Sequence, residues 1–129
     1  MVYLDEQVVR QLYDAFNQRN FDVVIKLYAD DIRLHCPGQN QVSGDYNSRQ
    51  EVIDFWKKQM KVSEGTFQPQ VVTVAESDGH IVVVTDVSIQ RNGRSYSWRR
   101  LLHFTFYDSR VHECWIYEGD QYTADEAFA

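Results

Sequence analysis

The sequence predicts an α+β fold: three helices followed by, and packed inside, a curved antiparallel β-sheet. Three observations carry this. Apolar residues recur at helical spacing in the first half of the chain, and after Gly65 they alternate in strand fashion. Turn signals at Asp78–Gly79 and Asn92–Gly93 divide that second half into long strands. Helices first and strands afterwards indicate segregated α+β layers rather than alternating βα units. With 129 residues the chain holds one core and not two, so residues 1–129 form a single domain.

In order, residues 5–19 place Val8, Val9, Leu12 and Phe16 at helical spacing behind leading acids. A break at Asn20 precedes a second helix through Val23, Val24, Leu27 and Tyr28, which ends near Asp30–Asp31. "IRLHCPG" alternates as a short strand and stops at Pro37–Gly38. Residues 38–48 read as a polar loop. Ser48 then caps a third helix, with Glu51 completing a capping box and Val52, Phe55, Trp56 and Met60 on its apolar side. Strands follow in "TFQPQVVTVAES", "HIVVVTDVSIQ", "RSYSWRRLLHFTFYD" and "RVHECWIYEG". The tail "DQYTADEAFA" reads as polar and peripheral, with Asp120 and Tyr122 near the mouth of the fold. A curved sheet around a helix makes a cone with an apolar interior, and such an interior with a few polar groups is a ligand site.

The net charge is −6. That excludes nucleic acid and anionic membrane surfaces as main partners, because phosphate binding needs a basic face. Cys36 and Cys114 form no paired motif, no leader is expected at the start of the chain, and no segment approaches a membrane span. A cytoplasmic protein with free thiols is expected. His35, His80, His103 and His112 lack metal-ligand spacing, so no metal is expected, nor any other cofactor.

One strand carries the chemical question. In "YSWRRLLHFTF", Tyr96, Trp98, Arg100, Leu102, Phe104 and Phe106 share a face. A guanidinium in an apolar face requires an anionic partner. A two-residue turn at Asn92–Gly93 sets Asp86 opposite Arg99, whereas a bulged turn sets it opposite Arg100. The apolar face favours Arg100. Asp86 is then a base or water-holding group, Arg100 an orienting group, and His35 a proton relay. Phe16, Trp56 and Met60 are expected in the cavity wall, with Tyr46 and Trp98 as rim aromatics.

The segments "LYDAFNQRNFDVVIKLYADDIRLHCPG", "SRQEVIDFWKKQM" and "RLLHFTFYDSRVHECWIY" resemble the nuclear-transport-factor-2-like superfamily, in its SnoaL-like and ketosteroid-isomerase-like branch. The resemblance implies the cone-shaped fold of that superfamily, a hydrophobic pocket for an apolar small molecule, and a homodimer formed through the outer sheet face, where His103 would lie. It implies a cofactor-independent isomerase, cyclase or hydrolase, or else a non-catalytic binding or dimerisation module. Ketosteroid isomerases keep a tyrosine, a basic aspartate and a donor aspartate where this chain has Leu12, Cys36 and Leu102, so that residue set is incomplete. Limonene-epoxide-hydrolase-like enzymes keep an Asp–Arg–Asp set at positions matching Asp86, Val84 and Ile116, of which only Asp86 is retained. Both comparisons imply the same inward set: Cys36, Asp86, Trp98, Arg100, Leu102, Cys114 and Ile116.

Overall fold

The computed structural model describes residues 4–129. Asp5 opens the first helix, α1 (Glu6–Asn17), by accepting a hydrogen bond from the Val8 amide at 2.9 Å. The second helix, α2 (Phe21–Ile25), is a single turn and does not extend through Tyr28 as expected. Strand β1 (Tyr28–Cys36) takes those residues instead. Tertiary pairing overrides the local helical spacing here. The Val111 amide donates to the Leu27 carbonyl at 2.7 Å, and Tyr28 pairs with Val111.

The expected polar loop contains a short strand, β2 (Gly44–Tyr46). Ser48 caps α3 (Arg49–Val62) by accepting from the Glu51 amide at 3.1 Å, and the Glu51 carboxylate reaches back to the Asn47 amide at 3.2 Å. Four long strands follow: β3 (Gln68–Ser77), β4 (His80–Arg91), β5 (Arg94–Tyr107) and β6 (Arg110–Glu118). The chain closes with α4 (Gln121–Ala127).

All six strands form one sheet in the order β2-β1-β6-β5-β4-β3. The sheet is mixed rather than wholly antiparallel, because β1 and β6 run parallel. With the helices on its inner side it makes the cone expected from the sequence. Inner-face residues such as Ile32, Leu34, Val83, Phe104 and Ile116 are buried against Val52, Phe55 and Trp56 of α3.

Asn92 and Gly93, at φ 53° and 76°, form the tight left-handed turn that two-residue hairpins use. This fixes the β4–β5 register with Asp86 opposite Arg99 and Thr85 opposite Arg100.

The tail is a plug rather than a peripheral segment. Ala124, Ala127 and Phe128 are fully buried, and the Phe128 ring packs on Phe67 and edge-on to Trp98. Asp120 caps α4 through the Thr123 amide at 3.1 Å, while Tyr122 points to solvent. Asp125 ties the plug to the loop after β1. It accepts from the Gln39 amide at 3.0 Å, from Asn40 Nδ2 at 2.8 Å and from Gln121 Nε2 at 2.9 Å. Gly38, at φ 100°, is required at that seam, where a Cβ would collide with Asp125 and Gln121.

Candidate functional site

The stripe of α1 that faces inward comprises Val9, Leu12, Tyr13 and Phe16, at the i, i+3, i+4, i+7 spacing of one helical face. The matching stripe of α3 is Val52, Phe55, Trp56 and Gln59, all buried. Between these helices and the inner face of β4, β5 and β6 lies a partly open cavity of about 80 Å³. Its walls are interlocked aromatics. Trp56 meets Phe16 edge-on at 5.7 Å and Tyr28 edge-on at 5.4 Å, and Phe16 meets Phe67 at 6.1 Å.

The polar groups on the cavity wall are few: Tyr13, Tyr28, Gln59, Thr85 and Arg100. Arg100 is 3% exposed. Its partner is Glu118, whose side chain is 2% exposed. The pair is bidentate, with Arg100 Nε donating to Oε1 at 2.7 Å and Nη2 to Oε2 at 2.9 Å. Nη1 donates to Gln59 Oε1 at 2.8 Å, and the guanidinium carbon sits 5.3 Å from the Phe67 ring centre. Thr85 satisfies the backbone behind it, donating to the Arg100 carbonyl at 2.9 Å. Burial opposes the charge on Arg100, but Glu118 outweighs it and raises the guanidinium pKa further.

Burial likewise pushes the Tyr13 and Tyr28 phenols well above their usual pKa, so both stay neutral donors. Both residues line the cavity and neither hydroxyl is engaged in a hydrogen bond among the described residues, whereas the fully enclosed polar atoms without partners are Asn17 Oδ1 and Trp98 Nε1.

Several expected site residues lie elsewhere. Asp86 is on the outer face, with its side chain 56% exposed and bound by Arg99 Nε at 3.0 Å and Nη2 at 3.3 Å. The two-residue turn is the cause: it places Asp86 on the face opposite to Arg100. His35 also points outward, because Leu34 and Cys36 take the inner positions of β1. Its Nδ1 meets Asp45 Oδ1 at 2.8 Å and its Nε2 meets Glu113 Oε2 at 2.7 Å. Asp45 and then Glu113 raise the imidazole pKa, so this is a charged clamp between strands rather than a relay into the cavity.

Phe16, Trp56, Leu102 and Ile116 do line the cavity. Cys36, Cys114 and Trp98 are buried in the core but do not line it. Met60 packs against the core one helical position past Gln59, which takes the inward place. Tyr46 is no mobile lid; its ring lies 4.7 Å from Phe55 and its hydroxyl donates to the Val42 carbonyl at 2.7 Å. Burial pushes the Cys36 thiol up to about 12 and raises Cys114 as well, so neither supplies a thiolate nucleophile at neutral pH.

Glu118, Gln59 and Tyr13 were not anticipated, yet each follows the inward parity of its own element. Glu118 continues Cys114 and Ile116 along β6, Gln59 continues Val52, Phe55 and Trp56 along α3, and Tyr13 lies between Val9 and Phe16 on α1.

A cone of this topology with an aromatic, sparsely polar interior defines the nuclear-transport-factor-2-like class, and the comparisons place the chain within it. The SnoaL-like domain family matches residues 9–114, and the chain belongs to that family, whose members are small-molecule enzymes and binders. Among curated proteins none matches. Bal32a, from a soil-derived mobile gene cassette, is 24% identical with a TM-score of 0.89, covering 94% of this chain and 93% of its own. A nuclear-transport-factor-2-like protein of unknown function from Burkholderia pseudomallei is 23% identical with a TM-score of 0.83, covering 95% of each chain. TerC, co-crystallised with polyporic acid, is 14% identical with a TM-score of 0.80, covering 91% of this chain and 92% of its own. At these identities the likeness concerns the fold.

No helix among the described residues is long and apolar enough to cross a membrane. Nor do three His, Cys, Asp or Glu side chains converge on one point among them.

Proposed function

We propose that the cone interior takes up an apolar small molecule and acts on it without a cofactor, as an isomerase, cyclase or hydrolase of the SnoaL-like type. The observation that carries this reading is the buried Arg100–Glu118–Gln59 group at the wall of an otherwise apolar cavity. Five guanidinium N–H groups are available and three are committed, so two donors remain beside the neutral phenol of Tyr13. Fixed donors in a dry site stabilise negative charge that develops on a substrate oxygen. A related cone, that of TerC, has been co-crystallised with a small organic molecule, which supports the same use of this interior.

A second reading, non-catalytic binding, is favoured by one specific observation. No free carboxylate or imidazole lines the cavity among the described residues, and Arg100 holds both oxygens of Glu118. General-base chemistry therefore has no protein group to start from. Asp86 and His35 do not fill that role, because both face outward.

The test is a titration of intrinsic tryptophan fluorescence with apolar ketones, enones and epoxides, followed by product analysis. Leu102→Phe, which fills the cavity, is expected to abolish both the fluorescence change and any turnover while leaving the fold intact. A signal that survives Leu102→Phe would place binding outside the cone. Turnover that falls at least tenfold in Tyr13→Phe would decide for the enzyme over the binder.

We also propose that the outer sheet face, where Tyr117 is 55% exposed beside Leu101 and Trp115, meets a second copy of the chain. Sedimentation should then report a dimer that Tyr117→Glu weakens; a wild-type monomer at micromolar concentration would rule the dimer out. The two buried thiols, both free, support a reducing cytoplasmic location.

A further inference from the structure

The cavity carries two features that its general reading does not use: its size, and the balance of charge around it. Its volume is about 80 Å³. An apolar cavity of about 150 Å³ accepts benzene, so this one holds a single ring at most, with part of the molecule in the mouth. The walls give little room for expansion. Trp56 is wedged edge-on between Phe16 and Tyr28, and Phe16 is braced by Phe67. Displacing any one of these rings disturbs the others.

Charge narrows the class further. Arg100 is the one charged side chain on the cavity wall among the described residues, and Glu118 neutralises it through two hydrogen bonds of 2.7 and 2.9 Å. A carboxylate or phosphate entering this space would be a buried charge with no counter-charge left to meet it. A neutral acceptor oxygen meets no such penalty. It also finds the unused hydroxyl donors of Tyr13 and Tyr28 in the lining of the same cavity, besides the two Arg100 N–H groups left uncommitted.

Resting on the small-molecule reading above, we infer that the ligand is a neutral molecule of one ring or less, bearing a single acceptor oxygen received by Tyr13 and Tyr28. Polycyclic molecules and organic anions are excluded from the cavity by its volume and its neutral ion pair.

The experiment compares four probes on the intact protein at pH 7 by calorimetry and Trp fluorescence. They are cyclopentanone, methylenecyclopentane, cyclopentanecarboxylate and the tetracyclic diketone 4-androstene-3,17-dione. Cyclopentanone is expected to bind at least tenfold more tightly than the carboxylate, and the tetracycle is expected not to bind. Tyr13→Phe and Tyr28→Phe should each weaken cyclopentanone by about threefold to tenfold, the loss of one hydrogen bond, and leave methylenecyclopentane unchanged.

Equal or tighter binding of the carboxylate, or of the tetracycle, would overturn the inference. So would ketone affinity that is indifferent to both tyrosine variants. If either excluded probe binds and Leu102→Phe removes it, the cone is still a ligand site and only the class is wrong. If no probe of any class binds, the small-molecule reading itself falls, and this inference with it.

Discussion

Arg100 holds its charge at 3% exposure because three partners converge on it: Glu118 from β6, Gln59 from α3 and the Phe67 ring from the loop before β3. Removing one member of such a pair leaves an unpaired buried charge, which costs about 3–5 kcal/mol, whereas replacing both by apolar residues is often neutral. Glu118→Gln is therefore expected to lower stability in urea unfolding by about that amount, and Arg100→Met combined with Glu118→Leu to recover most of it. A double variant as unstable as the sum of its parts would show that the two groups act independently.

His35 gives the opposite behaviour at the surface. Its pKa is raised in the folded protein, first by Asp45 and then by Glu113, above its ordinary value of about 6.5. A raised pKa means that its contribution is present in full below the unfolded value and is lost as pH rises through the folded one. Thermal melts should show the wild type most favoured over His35→Gln near pH 6, with the difference shrinking towards pH 9. A difference that grows with pH would contradict the assigned clamp.

At the scale of elements, α4 decides whether the cone is closed. Phe128 lies fully buried between Phe67 and Trp98, so Phe128→Ala should cost about 3–5 kcal/mol, a typical loss for a deleted core ring. Gly38→Ala should loosen the same element from the other side, through Asp125 and Gln121, and limited proteolysis should then cut first after Glu118. Rapid cleavage within β6 instead would show that the plug is not the weak point.

The other open boundary is β3, the sheet edge. Arg10, Asn17 and Arg19 donate to carbonyls of Val71, Val72, Pro69, Gly65 and Phe67, so α1 and the turn after it cover groups that another strand could otherwise pair with.

What was legible in the sequence follows from the same elements. The four long strands and α3 were readable because their alternation, their turns and the Ser48 cap are local signals. The Tyr28–Cys36 strand and the α4 plug were not, because each is decided by distant partners, Val111 for the first and Phe67 and Trp98 for the second. The site followed the same division. The inward stripe containing Arg100 was readable by parity. Its partner depended on the β4–β5 register, and a single-residue difference in the turn moved Asp86 to the opposite face.

For the whole molecule, a small mixed sheet wraps one apolar chamber, and the polar groups of the chain are sorted by face. The outer face carries the exchangeable pairs: Asp86 with Arg99, and His35 with Asp45 and Glu113. The chamber keeps one neutralised ion pair and two unused phenols. The polar corner of the chamber is built from Tyr13, Gln59 and Arg100, with Glu118 behind them, and not from the positions of Leu12, Cys36 and Leu102 that the resemblance to ketosteroid isomerases implies. The most direct measurement is a crystal structure of the protein soaked with cyclopentanone. The ketone is predicted inside the cone, its oxygen within hydrogen-bond distance of the Tyr13 or Tyr28 hydroxyl. A cavity without the ketone, in crystals where it occupies another surface or none, would contradict the account.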